Sequence, residues 1–166
     1  MNKSLLAGFF LLGSLLLAQQ GITVIDEQTD KLMLLGKHDR SAFLDSAFSG
    51  WFNEEYEYYS LDDSTLISIK DKIADVTVTI VMGTWCSDSQ REVPHFYKMV
   101  DYLGYDESKI DLICVDRAKV GVDNEVDGLD IKLVPTFIFY KEGNEIGRII
   151  EVPVETLEKD LAEILK

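Results

Sequence analysis

The chain has 166 residues, 46% of them hydrophobic, and carries 30 acidic residues against 16 basic ones for a net charge of −14. That length and apolar share suffice for one domain with its own core, which needs no disulfide or metal staple. The acidic balance argues against nucleic acid and anionic membrane surfaces as partners, because both are bound through clustered Lys and Arg.

The opening residues differ from the rest. Lys3 is the only charge before Asp26, Leu5 to Leu17 is almost wholly apolar, and Ala18 is small. A short basic start, an apolar stretch of about 7–15 residues and a small residue describe a secretory signal, and the run is short for a membrane span. Residues 1–18 therefore read as a signal peptide, which predicts an exported protein, in a periplasm-type compartment. Neither cysteine, Cys86 or Cys114, lies near Ala18, which excludes a lipid attached through cysteine at that point.

Residues 19–75 read as an N-terminal helical extension packed on the core. The stretch from Gly21 to Arg40 shows no clear period. From Asp39 to Phe52 the spacing predicts a helix capped by Asp39, with Phe43, Ala47, Phe48, Trp51 and Phe52 on one side. The segment "NEEYEYYS" that follows reads as a lid whose Tyr56, Tyr58 and Tyr59 pack on the domain, with peptide binding as the sharper alternative. "STLISIKDKI" reads as a second short helix.

From Val76 the pattern changes. Val76–Met82 is a β-branched, buried strand. A helix follows, with Val93, Phe96, Tyr97 and Val100 on one face and Gly104 as its stop. Ile110–Asp116 is a second buried strand, which the intervening helix makes parallel to the first. After a loop of Gly and Asp, Thr136 to Val152 reads as a hairpin turning at "KEGN", with Gly143 and Asn144 able to take positive φ. The last segment is an amphipathic helix burying Leu157, Leu161, Ile164 and Leu165. The fold class is α/β, a mixed sheet among helices.

Taken together, a strand ending in Trp85-Cys86, a helix interrupted by Pro94 and a later Val134-Pro135-Thr136 before a hairpin resemble a thioredoxin-like domain over residues 76–166. The resemblance implies thiol–disulfide exchange at Cys86 and a cis-proline at Pro135 facing it. It also implies a substrate surface formed by Trp85, Val134, Pro135 and Thr136. Two departures stand out. The second cysteine of the family is Ser89 here, giving a Cys-x-x-Ser site, and the buried acid of the first strand is Ile80. With no second thiol, a buried carboxylate would only add a desolvation cost, so the two absences are coherent.

The strand-to-helix junction should place the Cys86 sulfur by the first free N–H groups of the helix, whose dipole favours a thiolate by about 0.3–1 kcal/mol. Ser89 lies one turn on and could donate to the sulfur. Asp88 opposes the thiolate: an exposed carboxylate at about 7 Å costs roughly 0.6–2.4 kcal/mol as the effective dielectric falls from about 80 to 20. Asp88 is thus the residue expected to modulate the thiol's acidity.

A single thiol can form and exchange mixed disulfides or rescue sulfenic acids, but an external reductant must release it. The expected activity is that of a monothiol thiol–disulfide oxidoreductase, or isomerase, of the cell envelope. Its expected partners are protein or small-molecule thiols and disulfides, and it is expected to be a monomer. The alternative is a non-catalytic thioredoxin-fold binding or chaperone module. Iron–sulfur carriage, which monothiol glutaredoxins perform at a Cys-x-x-Ser site, is argued against by export. No cofactor or metal is expected, since His38 and His95 have no cysteine pair at zinc spacing. His95 reads as a surface residue, Cys114 as a core cysteine, and Arg148 with Glu151 as an exposed ion pair.

Overall fold

A computed structural model of the chain describes residues 21–166; the signal expected over residues 1–18 lies outside the described residues. Six strands form one sheet in the order β1-β2-β4-β3-β5-β6. Its centre is β3 (Val76–Met82), paired in parallel with β4 (Ile110–Cys114) and antiparallel with β5 (Thr136–Lys141). The 17-residue helix α3 (Ser87–Leu103) makes the crossover from β3 to β4. Alternation along β3 sorts the two faces. Val76, Val78, Ile80 and Met82 point into the main core, whereas Val81 points to a smaller cluster with Ile113, Val115 and Val134.

The unplaced stretch from Gly21 to Arg40 is a β-hairpin. Strand β1 (Ile22–Asp26) pairs with β2 (Lys31–His38), and the last residues of β2 pair antiparallel with β4. No simple alternation marked it because β1 is an edge: Ile22 and Ile25 are both exposed. The first half of β2 runs on past the end of β4, towards the loop that follows β3.

The helix expected from Asp39 to Phe52 is broken. Asp39 does cap a 3-10 turn, Arg40–Leu44, but the helix α1 begins only at Ser49 and runs to Tyr58. Asp45 causes the break. Its carboxylate takes the Ala47 N–H at 2.8 Å and its backbone carbonyl takes the N–H groups of Phe48 and Ser49, a local turn that competes with helix. The expected tyrosine lid is instead mostly the end of α1. Tyr56 and Tyr59 pack on the main core, whereas Tyr58 is exposed. Arg40 holds this layer on α3: its guanidinium bonds both Asp101 oxygens at 2.8 Å and lies 5.0 Å from the Tyr97 ring centre.

Helix α2 (Asp63–Ile73) is capped by Asp62 and buries Leu66, Ile69 and Ile73. The face of α3 is as expected, with Val93, Phe96, Tyr97 and Val100 buried and Gly104 ending it in the left-handed region at φ 64°. The β5–β6 (Asn144–Ile150) hairpin turns on Glu142 and Gly143, at φ 51° and 78°, rather than on Gly143 and Asn144. Asn144 already pairs with Lys141, so the two-residue turn lies one position earlier. Helix α4 (Leu157–Ile164), capped by Thr156, closes the core with Leu157 and Leu161.

Candidate functional site

Strand β3 delivers the chain to the loop Gly83-Thr84-Trp85, and Cys86 is the N-cap of α3. The Cys86 N–H returns to the Gly83 carbonyl at 2.9 Å, and its own carbonyl accepts the first helical bond, from Gln90, at 2.9 Å. Its side chain makes no capping bond. The half-buried sulfur rests against the smaller apolar cluster, and its S–H donates to the Val134 carbonyl at 3.2 Å. The Val134–Pro135 peptide bond is cis. Thr136 is buried and donates through Oγ1 to the Leu133 carbonyl at 2.7 Å. Cys86, Val134 and Pro135 are therefore brought together.

Trp85 is half-buried beside the sulfur. Its Nε1–H donates to the Val115 carbonyl at 2.9 Å. Gly83 is glycine because of this ring: a Cβ there would stand 2.5 Å from Trp85 Cε2. Ser89 differs from expectation. It is fully buried, and its hydroxyl accepts the Gly83 N–H at 3.3 Å; no Ser89–Cys86 hydrogen bond forms. Ser89 thereby braces the Gly83–Trp85 loop. Asp88 also differs, because Arg91, one turn on, donates to it at 2.8 Å and counters its charge. The opposition to a thiolate worked out for a bare carboxylate is weakened accordingly.

Two side chains at the site come from outside the sequence motif. The Arg117 guanidinium lies 4.8 Å from the Trp85 ring centre and grips the carboxylate of Asp26, with its Nη2 at 2.8 Å. Asp26 is 3% exposed and also accepts from Thr29 and from the Gln28 N–H. The Arg117 bond, then the Thr29 bond, hold Asp26 far below the usual carboxylate range. A buried carboxylate thus does stand near the site, on β1 rather than at Ile80. The Gly83–Trp85 loop is also tied to the hairpin directly: the Leu34 N–H donates to Thr84 Oγ1 at 3.1 Å. Arg117 and Asp26 were hard to see because one lies in a loop and the other on a strand without a pattern.

His95 is not a surface residue. It is 6% exposed, stacks on Tyr59 with ring centres 4.0 Å apart, and has Nε2 at 3.0 Å from Glu55. Burial lowers its pKa against the opposing pull of Glu55 and Glu92. Arg148 pairs with Glu145 rather than Glu151, and its Nη1 fixes the Leu129 carbonyl at 3.0 Å. Cys114 is fully buried, and desolvation pushes its thiol far up. Both cysteines are free.

The order β3-α3-β4-β5-β6-α4, with a cysteine at the head of α3 against the residue before a cis-proline, decides the architecture. The fold is thioredoxin-like. No family model matches the chain. A thioredoxin-like protein of Acanthamoeba polyphaga mimivirus is similar at 24% identity over 111 residues, covering 67% of this chain and 77% of that one. Among solved structures, a protein of unknown function from Pseudomonas aeruginosa shares the fold at a TM-score of 0.53 and 16% identity, over 78% of this chain and 85% of its own. Thioredoxin O2 of Arabidopsis thaliana is similar at 22% identity and a TM-score of 0.42, over 68% and 90%. The thioredoxin-like part is here extended by the β1–β2 hairpin, which joins the sheet beside β4, and by α1 and α2.

Proposed function

We propose that the protein is a thiol–disulfide oxidoreductase of the cell envelope that works through Cys86 alone. The observation that carries this reading is the half-buried sulfur at the head of α3, 3.2 Å from the Val134 carbonyl, with a buried serine one turn on where a resolving thiol would be needed. Cys114 offers no substitute, since burial disfavours its thiolate. Cys86 attacks one sulfur of a mixed disulfide, a new bond to Cys86 forms, and the other sulfur leaves as a thiol. An external thiol then attacks the Cys86 adduct and frees it. Isomerisation and removal of thiol adducts fit this cycle. Export rests on the reading of residues 1–18.

The test is mass spectrometry of partners held covalently on Cys86. Disulfide-linked partners are expected from the native chain and none from Cys86→Ser. Ser89→Cys should gain turnover on a stable protein disulfide, because the new thiol would lie one turn below Cys86. A Cys86→Ala chain with full biological activity would instead select the non-catalytic binding or chaperone module.

A further inference from the structure

Asp26 and Arg117 meet against Trp85, the chain neighbour of Cys86. Asp26 ends the edge strand β1, and the hairpin turn fixes its carboxylate. The Gln28 N–H and the Thr29 hydroxyl donate to it at 3.2 and 2.7 Å. Arg117 then takes it in a two-pronged grip, with Nε at 3.1 Å and Nη2 at 2.8 Å. A guanidinium held at two points has a fixed plane. That group lies 4.8 Å from the Trp85 ring centre, and the ring is itself anchored by its bond to the Val115 carbonyl. Trp85 and Cys86 pack on one small cluster of Val81, Ile113, Val115 and Val134. Arg117 and the sulfur also act on each other as charges. The Asp26 bond holds the Arg117 proton more firmly, burial opposes this, and the charges of Asp26 and of a Cys86 thiolate add to the hold. The adjacent Asp116 is committed to its own turn, where it accepts the Ala118 and Val120 N–H groups.

We infer that Arg117 is the cation that favours charge on the Cys86 sulfur, and that Asp26 is a positioning residue that aims this cation and limits its strength. The inference rests on the exchange chemistry proposed for Cys86 and names the control on that same thiol. An exchanging thiol reacts as the thiolate. A nearby positive charge raises the thiolate population, and a carboxylate paired with that charge lowers the gain. Here the carboxylate belongs to the hairpin, so its hold on Arg117 is set apart from the helix that carries Cys86. The other charged side chains on elements packed against the sulfur are few. Asp88 is countered by Arg91 on α3. On the cis-proline side stand the exposed Asp130–Lys132 pair and Glu151, whose N–H meets the Pro135 carbonyl. An ion pair that only staples the hairpin to the loop after β4 treats its two members alike, since losing either loosens the same contact. A control on the sulfur makes them opposites.

The experiment measures alkylation of Cys86 by uncharged iodoacetamide at low salt and about pH 6, below the ordinary thiol value near 8.5, where the rate follows the thiolate population. Altering one unit charge about 8 Å from a thiolate changes that population about twofold in water's dielectric and about sixfold at half of it. Asp26→Asn should therefore react about two- to sixfold faster than the native chain, and Arg117→Gln slower by a similar factor. The two changes combined should return towards the native rate, because the pair sums to zero charge in both chains. Arg117→Lys should keep most of the rate that Arg117→Gln loses, and it carries the test if Asp26→Asn does not fold. Salt at about 1 M, with a screening length near 3 Å, should narrow the spread among the variants. Single variants that shift in one direction, or that leave the rate unchanged, overturn the control and leave Cys86 exchange standing. Arg117→Lys as slow as Arg117→Gln overturns it too. Opposite shifts without disulfide-linked partners on Cys86 in the same chains overturn the exchange reading instead and keep the control on the thiol.

Discussion

Gly83→Ala tests how the loop before Cys86 is held. Gly83 occupies ordinary backbone space, so the effect comes from the added methyl alone. That carbon would stand 2.5, 2.6 and 2.9 Å from three atoms of the Trp85 indole, and the ring has to leave. Departure breaks the Nε1–H bond to Val115, worth about 1 kcal/mol net. It also breaks the stack with Arg117, worth about 0.5–1 kcal/mol at a partly exposed site. Together with lost apolar contact, the expected destabilisation is about 2 kcal/mol. Urea unfolding reads this as a midpoint lowered by about 1 M for a slope near 2 kcal/mol per M. Trp85 emission, recorded in a Trp51→Phe background, should move to longer wavelength as the ring meets water. A midpoint within about 0.2 M of the native one, with unchanged emission, would refute the account of Gly83 as a seat for the indole.

Thr84→Val removes the acceptor of the Leu34 N–H and should destabilise the fold by about 1–3 kcal/mol, with hydrogen exchange at Leu34 accelerated more than at central residues of β3. His95 has a lowered pKa in the folded state, so its contribution is complete above the unfolded value of 6.5 and is lost as pH falls through the lower folded value. Urea midpoints measured between about pH 5 and 7.5 should therefore fall on acidification, and less so in His95→Gln. Iodoacetamide should modify one thiol per native chain, Cys86, and two after denaturation, because Cys114 is buried. Two modified thiols in the native chain would contradict that burial.

The central part of the fold was legible because its periods are strong. Val76–Met82 alternates within an apolar run, and α3 carries Val93, Phe96, Tyr97 and Val100 at helical spacing, although burial runs all round the helix from Glu92 to Tyr97. The cis Val134–Pro135 bond was implied by the thioredoxin resemblance, and the burial of Cys114 followed from its apolar neighbours. What escaped were features set by distant partners. The β1–β2 hairpin exposes Ile22 and Ile25 at an edge and so lacks a clear inside and outside. Ser89 makes no hydrogen bond to Cys86; its buried hydroxyl instead accepts the Gly83 N–H, six residues back. Asp88 was weighed without Arg91, although the two are three residues apart on one helix. His95 looked like surface because its cover, Tyr59, comes from a different segment, after α1.

The pairing of Gly36 with Cys114 has a consequence for synthesis. A ribosome adding roughly 5–20 residues per second makes the first hairpin some seconds, on the order of 10 s, before its sheet partner β4 exists. During that interval β2 is an open strand edge, and the carbonyl and amide row destined for β4 is available to any other chain. The Gly83–Trp85 loop is likewise without its Leu34–Thr84 tie until such long-range closure is complete, the kind of step that slows folding of sheets with distant pairings. A nascent chain stopped before β4 should therefore be the form most prone to aggregate, and one extended past Cys114 should be rescued.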